Sequence, residues 1–340
     1  MSSSSIVFHN ANIRLGFHIA KEDTLFESFE NVVLNAEPLK SYQIYIAEKP
    51  WEAQAINAYD ITRTRELLRR NRKYACIHGS LFYNMAGCVN GKTDPKFNRN
   101  LGNTVNGLIG ELDIAAGFDA GVVVHIGAAK QKDKGIFTIC RTIEAVLDRE
   151  TKTTKSLSKE LQIPLKEKRK IILENAAGEG NKIGSSIKEI ADIIAGVDER
   201  FLPQIKVCID TAHIFGAGQY DFGDFEQVDS FYNDFDDLIG LDKLELFHLN
   251  DSRVAFGSKK DRHENLGLGY IFGTERDEEE NGDGLEGLKR LVEKAEEHRI
   301  PLIGEPPDKN AQGEPAYGPI WDYNVIKHLC PSLEKEYFLC

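Results

Sequence analysis

The chain has 340 residues, of which 41% are hydrophobic and 28% charged, so an ordinary globular core can form. It contains no run of about 18 apolar residues, which excludes a transmembrane helix, and its first residues lack the apolar core of a secretory signal peptide. The net charge of −12 gives no indication of nucleic-acid binding, although carboxylates that bind cations would account for part of it.

Eight short apolar runs alternate with segments of helical periodicity. Such near-continuous runs are typical of parallel strands that are covered on both faces. The predicted strands are Ile13–His18, Gln43–Ala47, Tyr74–His78, Val122–His125, Lys170–Glu174, Lys206–Asp210, Leu244–His248 and Pro301–Glu305. Apolar residues recur at helical spacing within 105–115, 183–197 and 285–295, while Thr151–Lys159 suggests an exposed polar elaboration.

This alternation predicts an α/β protein, a single-domain (β/α)8 TIM barrel over residues 10–330, with tails at 1–9 and 331–340. An open, doubly wound sheet is the alternative, because alternation alone does not distinguish the two. The six cysteines include no Cys-x-x-Cys pair, and Cys76 and Cys208 lie inside apolar runs. This pattern favours a reducing, intracellular compartment.

Six of the predicted strands end on a residue that can bind a metal: His78, His125, Glu174, Asp210, His248 and Glu305. Because the carboxyl ends of barrel strands point to one face, these side chains should converge there. His213, Asp261 and His263 lie in the loops that follow two of the strands. Nine such residues exceed the needs of one four-coordinate ion. The pattern therefore predicts two or three metals, with Glu174 as a bridge, zinc at most positions and Mn²⁺ as an option at the most oxygen-rich one.

Each residue taken alone has an ordinary explanation. A single histidine after a strand is usually hydrogen-bonded in a core or loop, Asp210 would make a good helix N-cap, and Asp261–His263 would be a solvated loop. The joint placement at six strand ends favours one site over six coincidences. Metals spaced about 3.5–4 Å apart suit phosphoryl transfer.

Three motifs in these segments resemble those of the endonuclease IV family of apurinic/apyrimidinic (AP) endonucleases. They run from Leu173 to Gly180, from Val207 to His213, and from Phe247 to Gly267. The similarity extends from about Arg14 to Glu305. It implies a zinc-dependent TIM-barrel hydrolase that cleaves DNA 5′ to abasic sites, leaving a 3′-hydroxyl and a 5′-deoxyribose phosphate, and that also has 3′-phosphodiesterase activity. The implied role is base excision repair of damaged DNA.

By this resemblance three zinc ions are expected per chain, and Glu174 is the catalytic residue. The first zinc would be held by His78, His125 and Glu174, the second by Glu174, Asp210, His248 and Glu305, and the third by His213, Asp261 and His263. Lys49, Leu81 and Tyr83 are the expected DNA contacts. Leu81 occupies the place of the tyrosine that usually enters the DNA in this family, and the segment 273–284 resembles an insertion.

The implied partner is double-stranded DNA with abasic sites, bound by a monomer in the cytoplasm or nucleus, or in a virion if the chain is viral. Two other functions remain open. A metal-dependent TIM-barrel sugar isomerase or epimerase would need fewer ligands, and only one or two metals. A non-enzymatic DNA-binding protein with a degenerate site is the third hypothesis, against which nine intact ligands argue.

Overall fold

A computed structural model describes residues 13–36, 38–49, 52–53, 56–87, 99–276, 282–310 and 313–330. Eight parallel strands close into a barrel in which each strand pairs with its neighbours in chain order and the last pairs with the first. They are β1 Leu15–Ile19, β2 Ser41–Tyr45, β3 Tyr74–His78, β4 Gly121–His125, β5 Ile171–Glu174, β6 Ile205–Asp210, β7 Leu244–His248 and β8 Leu302–Gly304. The predicted TIM barrel is confirmed, and the open-sheet alternative is wrong.

Helices surround the barrel. Their bounds are Leu25–Asn35, Ala58–Arg70, Arg99–Gly117, Lys132–Asp148, Lys152–Leu161, Leu165–Lys168, Ile187–Ala195, Thr211–Gly216, Phe225–Leu238, Gly284–Glu297 and Gly318–Leu329, with 3₁₀ turns at Glu199–Gln204 and Leu241–Lys243. Two short antiparallel pairs, Ala47–Lys49 with Glu52–Ala53 and Asp251–Ser252 with His263–Glu264, lie outside the barrel sheet. Among the described residues, no helix is both long and apolar enough to cross a membrane.

The apolar core has two parts. Side chains from alternate strand positions fill the barrel interior with a small cluster of Cys76, Val123, Ile172, Cys208, Leu246 and Ile303. The larger cluster lies between the barrel and its helices. This division follows from the two-residue period of a strand, which directs successive side chains to opposite faces. Burial raises the pKa of the Cys208 thiol to about 12, as expected of a cysteine that acts as a small hydrophobe.

The segment Thr151–Lys159 is mostly exposed, as predicted, and Thr154 is its one buried residue. It lies in the helix Lys152–Leu161, which begins with a capping box between Thr151 and Thr154. Thr154 is fully buried and donates to Asp113 Oδ2 at 2.6 Å, while the buried Arg169 pairs with Asp113 Oδ1 at 2.8 Å. One polar side chain of this exposed segment is therefore used inside the protein, which the polar composition did not indicate.

The predicted tails at 1–9 and 331–340 lie outside the described residues, as do residues 277–281 of the predicted insertion. The division of the chain at residues 10 and 330 stays a prediction. The four cysteines in the described part, Cys76, Cys140, Cys208 and Cys330, are free and buried.

Candidate metal centre

Strand ends position six of the nine predicted ligands, while the helix after β6 positions His213 and the loop after β7 positions Asp261 and His263. Asp210 is the last residue of β6 and also the N-cap of the helix Thr211–Gly216. Its Oδ1 accepts a hydrogen bond from the main-chain N of His213 at 2.8 Å. Oδ2 remains directed at the centre of the barrel end. The N-cap and ligand interpretations of Asp210 are therefore compatible, because each uses a different carboxylate oxygen.

Glu174 lies at the centre of the cluster and is 1% exposed. Its Oε2 is 3.1 Å from His125 Nε2 and 3.4 Å from His78 Nε2. Its Oε1 is 3.0 Å from His248 Nδ1 and 3.5 Å from His213 Nδ1. The two oxygens thus face different histidines, which is the geometry required of a carboxylate that bridges two cations.

A second group of donors adjoins the first. His248 Nδ1 is 3.3 Å from Glu305 Oε2 and 3.8 Å from Asp210 Oδ2. Glu174, Asp210 and His248 each offer a ligand atom within 4.8 Å of the others. All three side chains are buried, so their charges would be costly without a cation between them.

A third group lies nearer to solvent. His213 Nε2 is 3.0 Å from Asp261 Oδ2, and His263 Nε2 is 3.4 Å from Asp261 Oδ1 and 3.5 Å from Asp210 Oδ2. The fold therefore brings Asp210 between the second and third groups. Asp261 and His263 come from the loop after β7, where their side chains are 26% and 19% exposed.

The histidine rings are oriented by groups behind them. Three of them place Nδ1 within hydrogen-bond distance of a main-chain carbonyl: His78 with Gly79 at 2.9 Å, His213 with Asn175 at 3.0 Å and His263 with Glu305 at 3.2 Å. A carbonyl oxygen can only accept, so Nδ1 carries a proton, and Nε2 is the atom that faces the cluster and would bind a cation after losing any proton of its own. This arrangement is usual for metal-binding histidines.

These residues fit divalent cations of zinc size. In a tetrahedral site with metal–ligand distances of about 2.0–2.2 Å, the donor atoms lie about 3.3–3.6 Å apart. The separations within the three groups fall close to that range. Glu174 Oε2, His213 Nε2 and His263 Nε2 are buried and make no hydrogen bond within the described residues, which leaves each free for a cation.

Electrostatics support the same conclusion. Burial alone would lower the pKa of His213, but the Asp210, Asp261 and Glu174 carboxylates raise it to about 10. Burial opposes ionisation of Glu305 as well, yet His248 and His78 lower its pKa to about 2. The surrounding carboxylates thus favour positive charge inside the cluster, which metal ions would supply.

Sequence reasoning missed the polar residues that hold the ligands. Asn250 donates through Nδ2 to Asp210 Oδ2 at 2.8 Å, and its Oδ1 accepts from the main-chain N of Glu305 at 2.8 Å. Gln43, fully buried inside the barrel, donates to Glu305 Oε1 at 2.7 Å and contacts His248 Nε2 through Oε1 at 2.9 Å. The polar run that follows Asn250 could have indicated a role for it in the site. No feature of the sequence around Gln43 indicates that it supports the ligands.

Asp251 holds the loop that carries Asp261 and His263. Its carboxylate accepts hydrogen bonds from the main-chain N of Gly267, Gly269, Ile271, Phe272 and Ser252. The loop is therefore positioned by a buried charge that donors surround, and not by apolar packing alone.

Seven of the nine ligands line a cavity of about 570 Å3, and the fully buried Asp210 and His248 lie behind them. The other residues that line this cavity are His18, Tyr45, Leu81, Pro306, Pro307, Asp308, Ala316, Gly318 and Pro319. An adjoining cavity of about 240 Å3 extends between Leu81 and Lys182. These dimensions suit a small ligand or one residue of a polymer at the barrel end.

The predicted DNA contacts lie in three different settings. Leu81 is 58% exposed at the rim of both cavities, and the neighbouring Phe82 is 61% exposed. Lys49 lies in the short strand Ala47–Lys49 outside the barrel. Tyr83 is only 5% exposed and faces the buried Glu111, so the exposed aromatic ring beside Leu81 is that of Phe82. The sequence alone does not indicate whether Phe82 or Tyr83 is exposed, because that depends on the path of the loop.

Comparisons with known proteins agree with the fold and the cluster. Residues 38–276 match the family model described as "Xylose isomerase-like TIM barrel". "Probable endonuclease 4" of Halothermothrix orenii is 32% identical over 263 residues, which are 76% of this chain and 85% of that protein. "Apurinic-apyrimidinic endonuclease 1" of Saccharomyces cerevisiae is 35% identical over 161 residues, 47% of this chain but only 40% of that protein.

A solved structure extends the likeness of fold to nearly the whole chain. Endonuclease IV from Thermus thermophilus superposes with a TM-score of 0.68 and 24% identity, over 94% of this chain and 99% of that one. The family model covers well over half of the chain, and the Halothermothrix relative is matched over most of its length. The chain is therefore a TIM-barrel member of the endonuclease IV family of AP endonucleases.

Proposed function

We propose that this protein is a metal-dependent AP endonuclease that hydrolyses the phosphodiester 5′ to an abasic site in double-stranded DNA. The products are a 3′-hydroxyl and a 5′-deoxyribose phosphate. The single observation that carries the proposal is the third donor group, in which His213, Asp261 and His263 adjoin Asp210, beside the two groups that share Glu174. Three adjoining groups can hold enough positive charge to match the anionic transition state of phosphoryl transfer.

The proposed ligands are the nine residues predicted from the sequence, arranged as three zinc sites. The group of Glu174, Asp210 and His248, joined by Glu305, has the most carboxylate oxygens and is the position where Mn²⁺ could replace zinc. Bound ions of this kind lower the pKa of water and polarise phosphoryl oxygens.

The side chains of the protein perform the positioning. Glu174 holds the first two groups together through its two oxygens, and Asp210 joins the second to the third. Asn250 and Gln43 fix the orientation of Glu305. Because these supports are buried and hydrogen-bonded, the ligands are preorganised, and little rearrangement is needed during reaction.

Recognition of the lesion is proposed to involve the exposed tip formed by Leu81 and Phe82. Both side chains line the smaller cavity and Leu81 also lines the larger one, so an apolar wedge at this tip could enter the duplex and fill the space of the missing base. An abasic sugar unstacks at lower cost than an intact nucleotide, which favours its entry into the cavity. Lys49 is retained as a proposed phosphate contact on the resemblance alone.

A nicking assay on depurinated and intact plasmid tests the function. The zinc-loaded protein should convert depurinated plasmid to the open circle and leave intact plasmid supercoiled. The new ends should prime a DNA polymerase without further processing, because they carry 3′-hydroxyls. Oligonucleotides whose 3′ end is blocked by a group attached through a phosphodiester should also be converted to 3′-hydroxyl ends. Equal nicking of both plasmids, or none with zinc present, would refute the proposal. Light scattering should give the 38.1 kDa of a monomer.

The sugar isomerase or epimerase alternative predicts a different metal content. Elemental analysis of the purified protein should give three metals per chain for the nuclease, but one or two for an isomerase. The donors of the third group distinguish the two functions, since an enzyme that acts on a hydroxy-ketone does not need a third metal site.

A further inference from the structure

Tyr45 lines the cavity, and its ring is held between two histidines. It is the last residue of β2 and pairs in register with His78 on β3. Its ring centroid lies 4.5 Å from that of His18 and 4.7 Å from that of His78. The hydroxyl makes no hydrogen bond within the part of the chain that the structure describes. A held ring with an unused polar end is suited to contact a ligand.

The cavity has two chemically different halves. The nine proposed ligands come from the ends of β3 to β8, the helix after β6 and the loop after β7, whereas β1 and β2 contribute none. The half beside β1 and β2 is lined by His18, Tyr45, Pro306 and Pro307. If the proposed function is correct, the scissile phosphate occupies the ligand half, and the deoxyribose attached to it faces the other half.

The abasic sugar differs from an intact nucleotide at one atom of its ring. In its closed form, C1′ carries a hydroxyl where an intact nucleotide carries a base. A phenol is neutral at physiological pH and can both donate and accept, so it pairs well with a hydroxyl. We propose that the Tyr45 hydroxyl hydrogen-bonds the C1′ hydroxyl of the extruded sugar. Tyr45 is then a specificity residue of the proposed reaction, and not a metal ligand.

The test compares Tyr45→Phe with the wild type on two duplexes of one sequence. One carries a natural abasic site, and the other carries a tetrahydrofuran analogue that lacks the C1′ hydroxyl. The variant should lose about 5- to 10-fold in kcat/KM on the natural site, as for one neutral hydrogen bond, and nothing on the analogue. Its metal content and melting temperature should equal those of the wild type.

Tyr42→Phe is the matched control, since its ring belongs to the same strand but its hydroxyl contacts the carbonyls of Val32 and Leu39. It should leave both rates unchanged. An equal loss on both duplexes for Tyr45→Phe would assign the hydroxyl to the phosphate and overturn the inference, as would no loss on either. A wild type that cleaves neither duplex would overturn the proposed function itself, so the two failures are distinguishable.

Discussion

Glu174 Oε1 lies 3.0 Å from His248 Nδ1, although 74 residues separate the two in the chain. The other oxygen of the same carboxylate faces His125 and His78. One buried glutamate thus joins histidines from three other strands of the barrel. Burial would raise the pKa of this carboxyl, but His125 and His248 lower it well below its usual value. This favours the carboxylate, which is the form that cations can share.

Replacing Glu174 with glutamine should abolish nicking of depurinated plasmid, with a loss of at least about 10³-fold, because the shared carboxylate is lost while its shape is kept. Metal content should fall by one ion or more per chain, as measured by elemental analysis. Circular dichroism should retain the barrel spectrum. A variant with wild-type activity would contradict the proposed role.

Glu245→Gln provides the control for that experiment. Glu245 is also a part-buried glutamate of a barrel strand, but it pairs with Lys170 and Tyr74 at 2.8 Å and 3.2 Å, away from the ligands. We expect it to lose some stability yet to keep its metal content and its activity.

His263→Ala tests the third donor group separately. His263 contacts Asp210 and Asp261 but not Glu174, so the first two groups should stay intact. The variant should bind two metals per chain and cleave abasic DNA at least about 100-fold more slowly. Three metals, or full activity with two, would show that this group is dispensable.

Metal removal should also weaken the fold. Without cations, Glu174, Asp210, Glu305 and Asp261 bring negative charge together in a largely buried cluster. A strong chelator should therefore lower the melting temperature, and added zinc should restore it in proportion to the logarithm of free metal. Calorimetry measures the shift. An unchanged melting temperature after verified removal of the metal would contradict this expectation.

Ionisation of Glu111, which lies outside the metal centre, should make the free energy of unfolding depend on pH. Burial raises the pKa of this carboxyl from 4.5 to about 8. The folded state therefore binds the proton more tightly than the unfolded state does. The stability that depends on this proton is fully present below pH 4.5 and is lost as the pH rises to 8. Glu111→Gln should gain stability relative to wild type across this range, by on the order of several kcal/mol at pH 8.

Urea denaturation of both proteins at each pH measures that difference, and effects common to both cancel. The gain should be smallest near pH 4.5 and should level off above pH 8. Curves that run parallel throughout would mean that the carboxyl ionises normally in the folded protein.

The buried pair of Arg169 and Asp113 should dominate the stability of the segment before β5. Arg169 also donates to the carbonyls of Val146 and Arg149, and Asp113 accepts from Thr154. Asp113→Ala would leave a buried guanidinium without its charge partner and should cost about 3–5 kcal/mol of unfolding free energy. Thr154→Val, which removes only a hydroxyl, should cost about 1–2 kcal/mol in the same denaturation assay.

The amino-acid sequence by itself determined the barrel and the places of the ligand residues. Strand periodicity depends on nearest neighbours, and parallel closure then directs every strand end to one face, as with His125 and Glu174 in β4 and β5. The chemistry at that face could therefore be predicted from residues far apart in the chain.

Only the tertiary structure decided how the ligands are held and which side chains reach the cavity. Gln43 and Asn250 support Glu305 across the barrel, and no local pattern encodes a contact between such distant residues. The path of the loop after β3 buries Tyr83 and exposes Phe82. Burial depends on what packs from other elements, so side chains of similar chemistry and adjacent position acquire different roles only when the whole barrel has formed.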